Sequence, residues 1–152
     1  MAAMIRARPE LCNCLAVRQA ARHVTQFYDQ CLAPTGIRTT QFSLLAKLRR
    51  RGPMTINAMA RDMVMDRTTL GRNILPLQRE GLIEIVPGRS DKRSKELRVT
   101  AAGAARFDAA VLRWTEAQDR FDEVFGAERA GELRGLLHAV AATDFAAAGP
   151  AH

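Results

Sequence analysis

A chain of 152 residues has room for one domain with helical extensions and a buried core, but not for a second, catalytic domain. Aromatic residues make up only 5% and Gly and Pro are sparse beside Ala and Leu, which favours a mainly helical fold; no apolar run approaches the roughly 18 residues that cross a bilayer, and residues 1–8 lack the apolar stretch of a secretory signal, so a cytoplasmic location without a membrane partner is expected. The net charge of +7 is unevenly spread, with 15 Lys or Arg against 6 Asp or Glu in residues 38–106 and 4 against 8 in residues 107–152, so the middle of the chain suits a polyanion and the end suits protein.

The first predicted helix, about residues 9–32, carries Cys14, Val17, Ala21, Val24, Tyr28 and Cys31 at steps of three and four, which predicts a buried seam. Pro34 and Gly36 end it. A second helix is expected after a cap at Thr39, burying Phe42, Leu45 and Leu48 and stopping at Gly52 and Pro53. Thr55 then caps a short helix with Ile56, Met59, Ala60 and Met63 on one face. A break at Val64 and Met65 leads to Asp66, the cap of a helix with Leu70, Ile74 and Leu77 inward and Gly81 beyond its end. Two short amphipathic helices across a tight turn make a helix-turn-helix.

The period then changes. Residues 82–86 are β-rich, 87–95 polar and basic, and 96–99 alternate polar with apolar, the pattern of a β-hairpin with a charged tip, or wing. Thr100 caps a long helix with Phe107, Val111, Trp114, Phe121 and Val124 toward one side, and after Gly126 a last helix spans about 128–145; residues 146–152 form an Ala/Gly/Pro tail expected to fray. The predicted fold is mainly α with a small β-hairpin wing. A winged helix-turn-helix at 37–99 is flanked by helical dimerisation regions at 9–36 and 100–146.

With Leu70 marking the core direction, Thr68 and Arg72 face outward and Thr69 lies to one side. Such a helix enters the major groove by its N-terminal part, so Thr68, Thr69 and Arg72 are candidates for base edges and Arg67 for phosphate. Two other uses stay open here: Thr68 or Thr69 bonding the helix backbone, and Arg67 pairing with Asp62. Pro76 interrupts the helix hydrogen bonding and predicts a kink. At the hairpin tip Arg89, Lys92 and Arg93 suit phosphate or a narrow minor groove, with Asp91 placed to orient Arg93 by a charge-assisted bond.

These stretches resemble the MarR-type winged helix-turn-helix transcriptional regulators over about residues 11–145. The most specific are Asp66-Arg-Thr-Thr-Leu70, Leu77-Gln-Arg-Glu-Gly-Leu-Ile83, the wing Asp91-Lys-Arg93, and Leu97-Arg-Val-Thr-Ala-Ala-Gly103. The resemblance implies a homodimer built from the first and last helices, a repressor that binds a palindromic operator in double-stranded DNA and is released by a small-molecule inducer or by oxidation. It also implies an inducer site between the dimer helices and the winged module, for which Arg18, Arg22, His23, Phe27 and Tyr28 are candidates. Cys14 with Tyr28 resembles the first helix of the organic-peroxide-sensing branch, where the tyrosine bonds the reactive thiolate; the second such tyrosine falls near Thr39, so the match is partial.

Read by themselves, the cysteines allow packing, a redox role for Cys14, or a metal site with His23. On one continuous helix Cys12 and Cys14 point to opposite sides, and Cys14 and Cys31 lie roughly 25 Å apart, so neither pair should bridge within a chain. No phosphate-binding Gly loop, zinc-hydrolase motif or nucleophile with its base is present, so an enzyme is not expected, and neither a cofactor nor a metal is called for. A winged-helix protein-interaction module is the remaining alternative.

Overall fold

The computed structural model describes residues 8–147 and 149; of the tail expected to fray, residues 148 and 150–152 lie outside this set. In chain order the elements are α1 (Asn13–Leu32), α2 (Thr39–Arg51), β1 (Met54–Thr55), α3 (Ile56–Asp62), α4 (Arg67–Arg79), β2 (Ile83–Pro87), β3 (Lys95–Val99), α5 (Ala101–Phe125) and α6 (Ala127–Ala142), with 3-10 turns at Pro9–Leu11 and Ala33–Thr35.

Side-chain caps start three of these helices where the sequence places them. Thr55 Oγ1 accepts the Ala58 N–H at 3.1 Å, Asp66 Oδ1 that of Thr69 at 2.7 Å, and Thr100 Oγ1 that of Gly103 at 3.0 Å, each satisfying an amide with no partner inside its helix. The cap of α2 is not Thr39. Asp29, near the end of α1, accepts the Thr39 N–H at 2.7 Å, and the extended Arg38 takes the cap position with its own N–H on Gln41 Oε1 at 2.9 Å.

The start of α1 also differs. Cys12 is extended (φ −76°, ψ 110°) and caps the helix, its Sγ accepting the Leu15 N–H at 3.4 Å. It therefore stands off the helix, and the angular argument that separates it from Cys14 does not hold. The expected buried seam is buried only toward its end. Cys14 and Val17 are exposed, Val24, Tyr28 and Cys31 are half-buried, and only Leu32 of this helix is fully enclosed.

The sheet has strand order β1-β3-β2, all antiparallel, with Ile85 opposite Leu97 and Met54 opposite the same residue on its other edge. β1 has no counterpart in the sequence reading, because two residues after Gly52-Pro53 are too few to show a strand period. The core lies between α2, α3, α4 and the sheet, with Leu44, Leu45, Met59, Leu70, Leu77 and Leu97 fully enclosed. On its far side Phe42 stacks with Phe107 and Trp114 at centroid distances of 5.0 and 5.6 Å, which seats α5 on α2.

The junction of wing and α5 is tight. Thr100 Oγ1 donates to the Gly81 carbonyl at 2.5 Å while capping α5. Gly103, one turn into α5, lies directly on Leu82, just ahead of β2, and on the end of β3: a Cβ there would overlap the Leu82 carbonyl oxygen and sit 2.9 Å from both its carbon and Val99 Cγ1. The Thr-x-x-Gly pattern is thus a cap plus a close helix-to-strand approach. α1 and α6 both pack on α5. Val124, expected toward the packed side of α5, is exposed, and α6 ends at Ala142, before Phe145.

Candidate nucleic-acid interface

Leu70, Ile74 and Leu77 hold α4 to the core and leave its opposite face in solvent. That face carries Thr68 and Arg72 as expected, and also Arg79, with Leu75 between the two arginines. Arg67 and Thr69 are also exposed. Asp66 commits part of Thr69: its Oδ2 accepts the Thr69 hydroxyl at 2.9 Å while Oδ1 accepts the amide. These two bonds hold the Asp66 carboxyl below its ordinary value of 3.8. The Thr69 hydroxyl proton is therefore in use within the chain, leaving its lone pairs and methyl for a ligand.

Arg67 does not pair with Asp62. Asp62 is held by Lys47 and, at 2.8 Å, by Arg51, both on α2, and the hydrogen bond from Lys47 is the main reason its carboxyl lies below the ordinary value of 3.8. Asp62 thus fastens α3 to α2 and leaves Arg67 free. Pro76 sits inside α4, which runs as one helix from Arg67 to Arg79, and the Glu80 N–H reaches the Pro76 carbonyl at 3.0 Å. Because Pro76 faces solvent, the Arg72 carbonyl that loses its helical donor does so at the surface.

The wing tip is ordered by its own backbone. Asp91 Oδ1 accepts the Arg93 N–H at 2.9 Å, the Asp91 carbonyl accepts both N–H and Oγ of Ser94 at 3.1 and 2.8 Å, and the Gly88 N–H donates to the Ser94 carbonyl at 2.8 Å. Asp91 therefore shapes the turn through the Arg93 amide and does not hold its guanidinium, contrary to the expectation. Gly88 is required here, since a Cβ would meet Ser94 Oγ and lie 2.6 Å from the Asp91 carbonyl oxygen, a constraint that only the folded loop creates. The loop presents Arg89, Lys92 and Arg93 outward. Among the described residues Arg67, Arg72, Arg89, Lys92 and Arg93 form no ion pair, whereas Arg98 on β3 is neutralised by Glu84 at 2.6 Å. Two sets of unneutralised cations, one at the start of α4 and one on the wing, are what a polyanion needs.

Residues 37–95 match the MarR family model. Over 85% of this chain and 96% of the other, the protein is 34% identical to the M. tuberculosis transcriptional regulator MosR in complex with DNA, with a TM-score of 0.73. This chain belongs to the MarR family. The transcriptional repressor CouR, known from Rhodococcus jostii RHA1 and solved on a 23-mer DNA duplex, is 25% identical over 86% of this chain and 92% of its own, with a TM-score of 0.76. The transcriptional activatory protein BadR of Rhodopseudomonas palustris is 26% identical over 137 residues, 87% of this chain and 77% of BadR.

As a MarR-family member the chain is a DNA-binding transcription regulator with a winged-helix fold, and the family consists of regulators, not enzymes. The matched segment spans α2 through the wing loop to the first residue of β3. Largely outside it, α1, α5 and α6, with Thr39 at the start of α2, line a groove of about 390 Å³ whose walls include Val17, Ala21, Val24, Phe121 and Leu133. Tyr28, Gln118 and Arg134 supply polar groups there, and the Tyr28 hydroxyl donates to Gln118 Oε1. Burial, with Asp122 adding to it, raises the Tyr28 pKa above 10.0.

Of the candidate inducer residues, only Tyr28 lines this groove. Phe27 packs edge-on against Tyr28 under the Arg120 guanidinium, and Arg18, Arg22 and His23 are exposed on α1. Gln118 and Arg134 had no signal in the sequence, because they converge only through packing. Cys12 and Cys14 are exposed and Cys31 is half-buried, all as free thiols. Fourteen residues of helix put Cys14 and Tyr28 roughly 21 Å apart in one chain, so a bond between them requires a second subunit. Among the described residues no three His, Cys, Asp or Glu side chains cluster as a metal site, and no helix is long and apolar enough to cross a membrane.

Proposed function

We propose that this MarR-family chain is a cytoplasmic homodimeric repressor that reads a palindromic operator and lets go of it when a small molecule binds. The reading rests on one observation: the solvent face of α4 and the ordered wing tip both carry cations with no acidic partner among the described residues. In this reading residues 37–99 form the DNA-binding module and residues 9–36 and 100–146 the dimerisation region. Arg72 and Thr68 meet base edges in the major groove and Thr69 adds its methyl. Arg67 meets phosphate, and Arg89, Lys92 and Arg93, on a loop shaped by Asp91, follow the backbone and minor groove.

Dimerisation is supported by apolar side chains left on the outer helices. Val17 on α1 and Leu136, Leu137 and Val140 on α6 are 44%, 67%, 42% and 48% exposed, a stripe that a second copy would cover. The groove beside Tyr28 suits an inducer with an apolar body and an anionic end, its charge on Arg134. The test measures duplex binding by reduced, ligand-free protein across a salt series, followed by selection from random duplex. Steep salt dependence and recovery of one inverted repeat are expected. Absence of duplex binding at low salt would overturn the reading in favour of a protein-interaction module.

A second reading is favoured by the exposure of Cys14 in the first turn of α1. There an oxidant reaches the thiol without unfolding, and oxidation in place of a ligand would release the operator.

A further inference from the structure

α4 carries a glycine that nothing inside the chain calls for. Gly71 is the fifth of the helix's 13 residues and lies outside the left-handed region, so no turn requires it. Beyond its chain neighbours and the helix's own backbone, no atom stands within 4 Å of the place a Cβ would take. Gly103 has a reason of its own, because Leu82 fills the corresponding space there; at Gly71 the space is empty. A glycine inside a helix is less stable than an alanine, and one use that offsets this is close approach of the backbone to a ligand.

The gap opens on the solvent side of α4. Helix geometry sets Arg67 and Thr68 one turn before Gly71 and Leu75 one turn after it, and all four residues are exposed. Leu75, 43% exposed and on the face of Thr68 and Arg72, leans back toward Gly71 as helical side chains do, without closing the gap. The result is a notch with bare backbone as its floor and Leu75 as an apolar wall. An anion finds no free donor in it, because from Leu70 onward the amides of α4 bond within the helix. Its fitting occupant is a small apolar group, and the group of that kind that bases present in the major groove is the C5-methyl of thymine. We infer that the notch between Gly71 and Leu75 seats a thymine methyl and so specifies a T·A pair in each half-site. The inference rests on the proposed placement of α4 in the major groove.

The test takes a duplex that the full-length wild type selects from a random pool and replaces each thymine in turn by uracil, which removes only the methyl. Affinities are measured for the wild type, Gly71→Ala and Leu75→Ala, with thermal unfolding in parallel. At one thymine position the wild type should lose about fourfold in affinity for each half-site altered, the worth of one buried methyl. Gly71→Ala should unfold at or above the wild-type temperature, since its Cβ meets nothing, yet bind the thymine duplex about as weakly as the wild type binds the uracil one. Neither variant should distinguish thymine from uracil at that position, and the salt slope should be unchanged because no phosphate contact is lost. Wild-type affinity in Gly71→Ala, or no uracil-sensitive position for the wild type, overturns the inference and leaves α4 in the groove. A Gly71→Ala protein that binds weakly but keeps the full uracil effect also overturns it, because the loss then arises elsewhere. A wild type that binds no duplex overturns it together with the placement of α4.

Discussion

Replacing Gly103 by Ala sets two effects of known sign against each other. Ala is the better helix former by about 0.8–1.0 kcal/mol in a helix interior, so propensity alone predicts stabilisation. At Gly103, however, the new methyl would overlap the Leu82 carbonyl oxygen and stand 2.9 Å from the carbonyl carbon and from Val99 Cγ1. Two of those three atoms are backbone, held by the Thr100 N–H on the same carbonyl at 3.1 Å and by the β2–β3 ladder that begins at the next residue, Ile83, so they cannot rotate away. Overpacking of this kind costs roughly 1–3 kcal/mol and more where the neighbour is rigid, which leaves Gly103→Ala about 2 kcal/mol less stable. In a chain of this length that lowers the unfolding midpoint by about 4–8 °C. Gly71 is the control: it lies inside α4 with nothing within 4 Å of a Cβ, so Gly71→Ala should stabilise by about 0.5–1 kcal/mol. Denaturant or thermal unfolding at one fixed protein concentration reads both, since association would otherwise shift the midpoint. Equal effects of the two substitutions, or a stabilised Gly103→Ala, would refute the close-approach account of the Thr-x-x-Gly pattern.

Arg72→Ala should weaken selected-operator binding by about 1–3 kcal/mol and relax sequence preference, whereas Arg93→Ala should weaken all duplexes alike and lower the salt slope by about 1; identical behaviour of the two contradicts the division between base and backbone contacts. Asp62 has a folded pKa below its unfolded one, so the folded state resists its protonation. Its contribution is present in full above about pH 4 and is lost as pH falls through the folded value, and Asp62→Asn should lower stability at pH 7 and flatten the acid limb of unfolding. An acid limb as steep as wild type would show that the Lys47 and Arg51 pairs do not matter. Leu137→Glu should shift sedimentation from dimer to monomer and reduce operator affinity; a dimer of unchanged strength would remove α6 from the interface. Mild peroxide should release operator from wild type but not from Cys14→Ser if the thiol is the sensor, and an insensitive wild type leaves a ligand as the signal.

What could be read in the sequence divides by the range of the physics involved. Caps at Thr55, Asp66 and Thr100 and the inward stripe Leu70, Ile74, Leu77 depend on neighbours a few residues away, and the fold reproduces them. The same local logic misplaced the α2 cap by one residue, because the deciding acceptor, Asp29, is ten residues away on α1. β1 was invisible for a related reason: two residues carry no period, and only pairing with Leu97 and Glu96 makes them a strand. At the candidate interface the residue types and their outward direction were legible, but the use of each hydrogen bond was not. Asp91 takes a backbone amide instead of a guanidinium, and the Thr69 hydroxyl donates its hydrogen bond to Asp66. Both are short-range bonds that compete with a longer-range role, and the nearer partner wins because it costs little additional side-chain entropy. The same reasoning makes Arg67 the more available cation, since Asp62 is taken up by two bases on α2. Charge at this surface is therefore set less by the number of basic residues in the sequence than by which acids the fold has already engaged elsewhere.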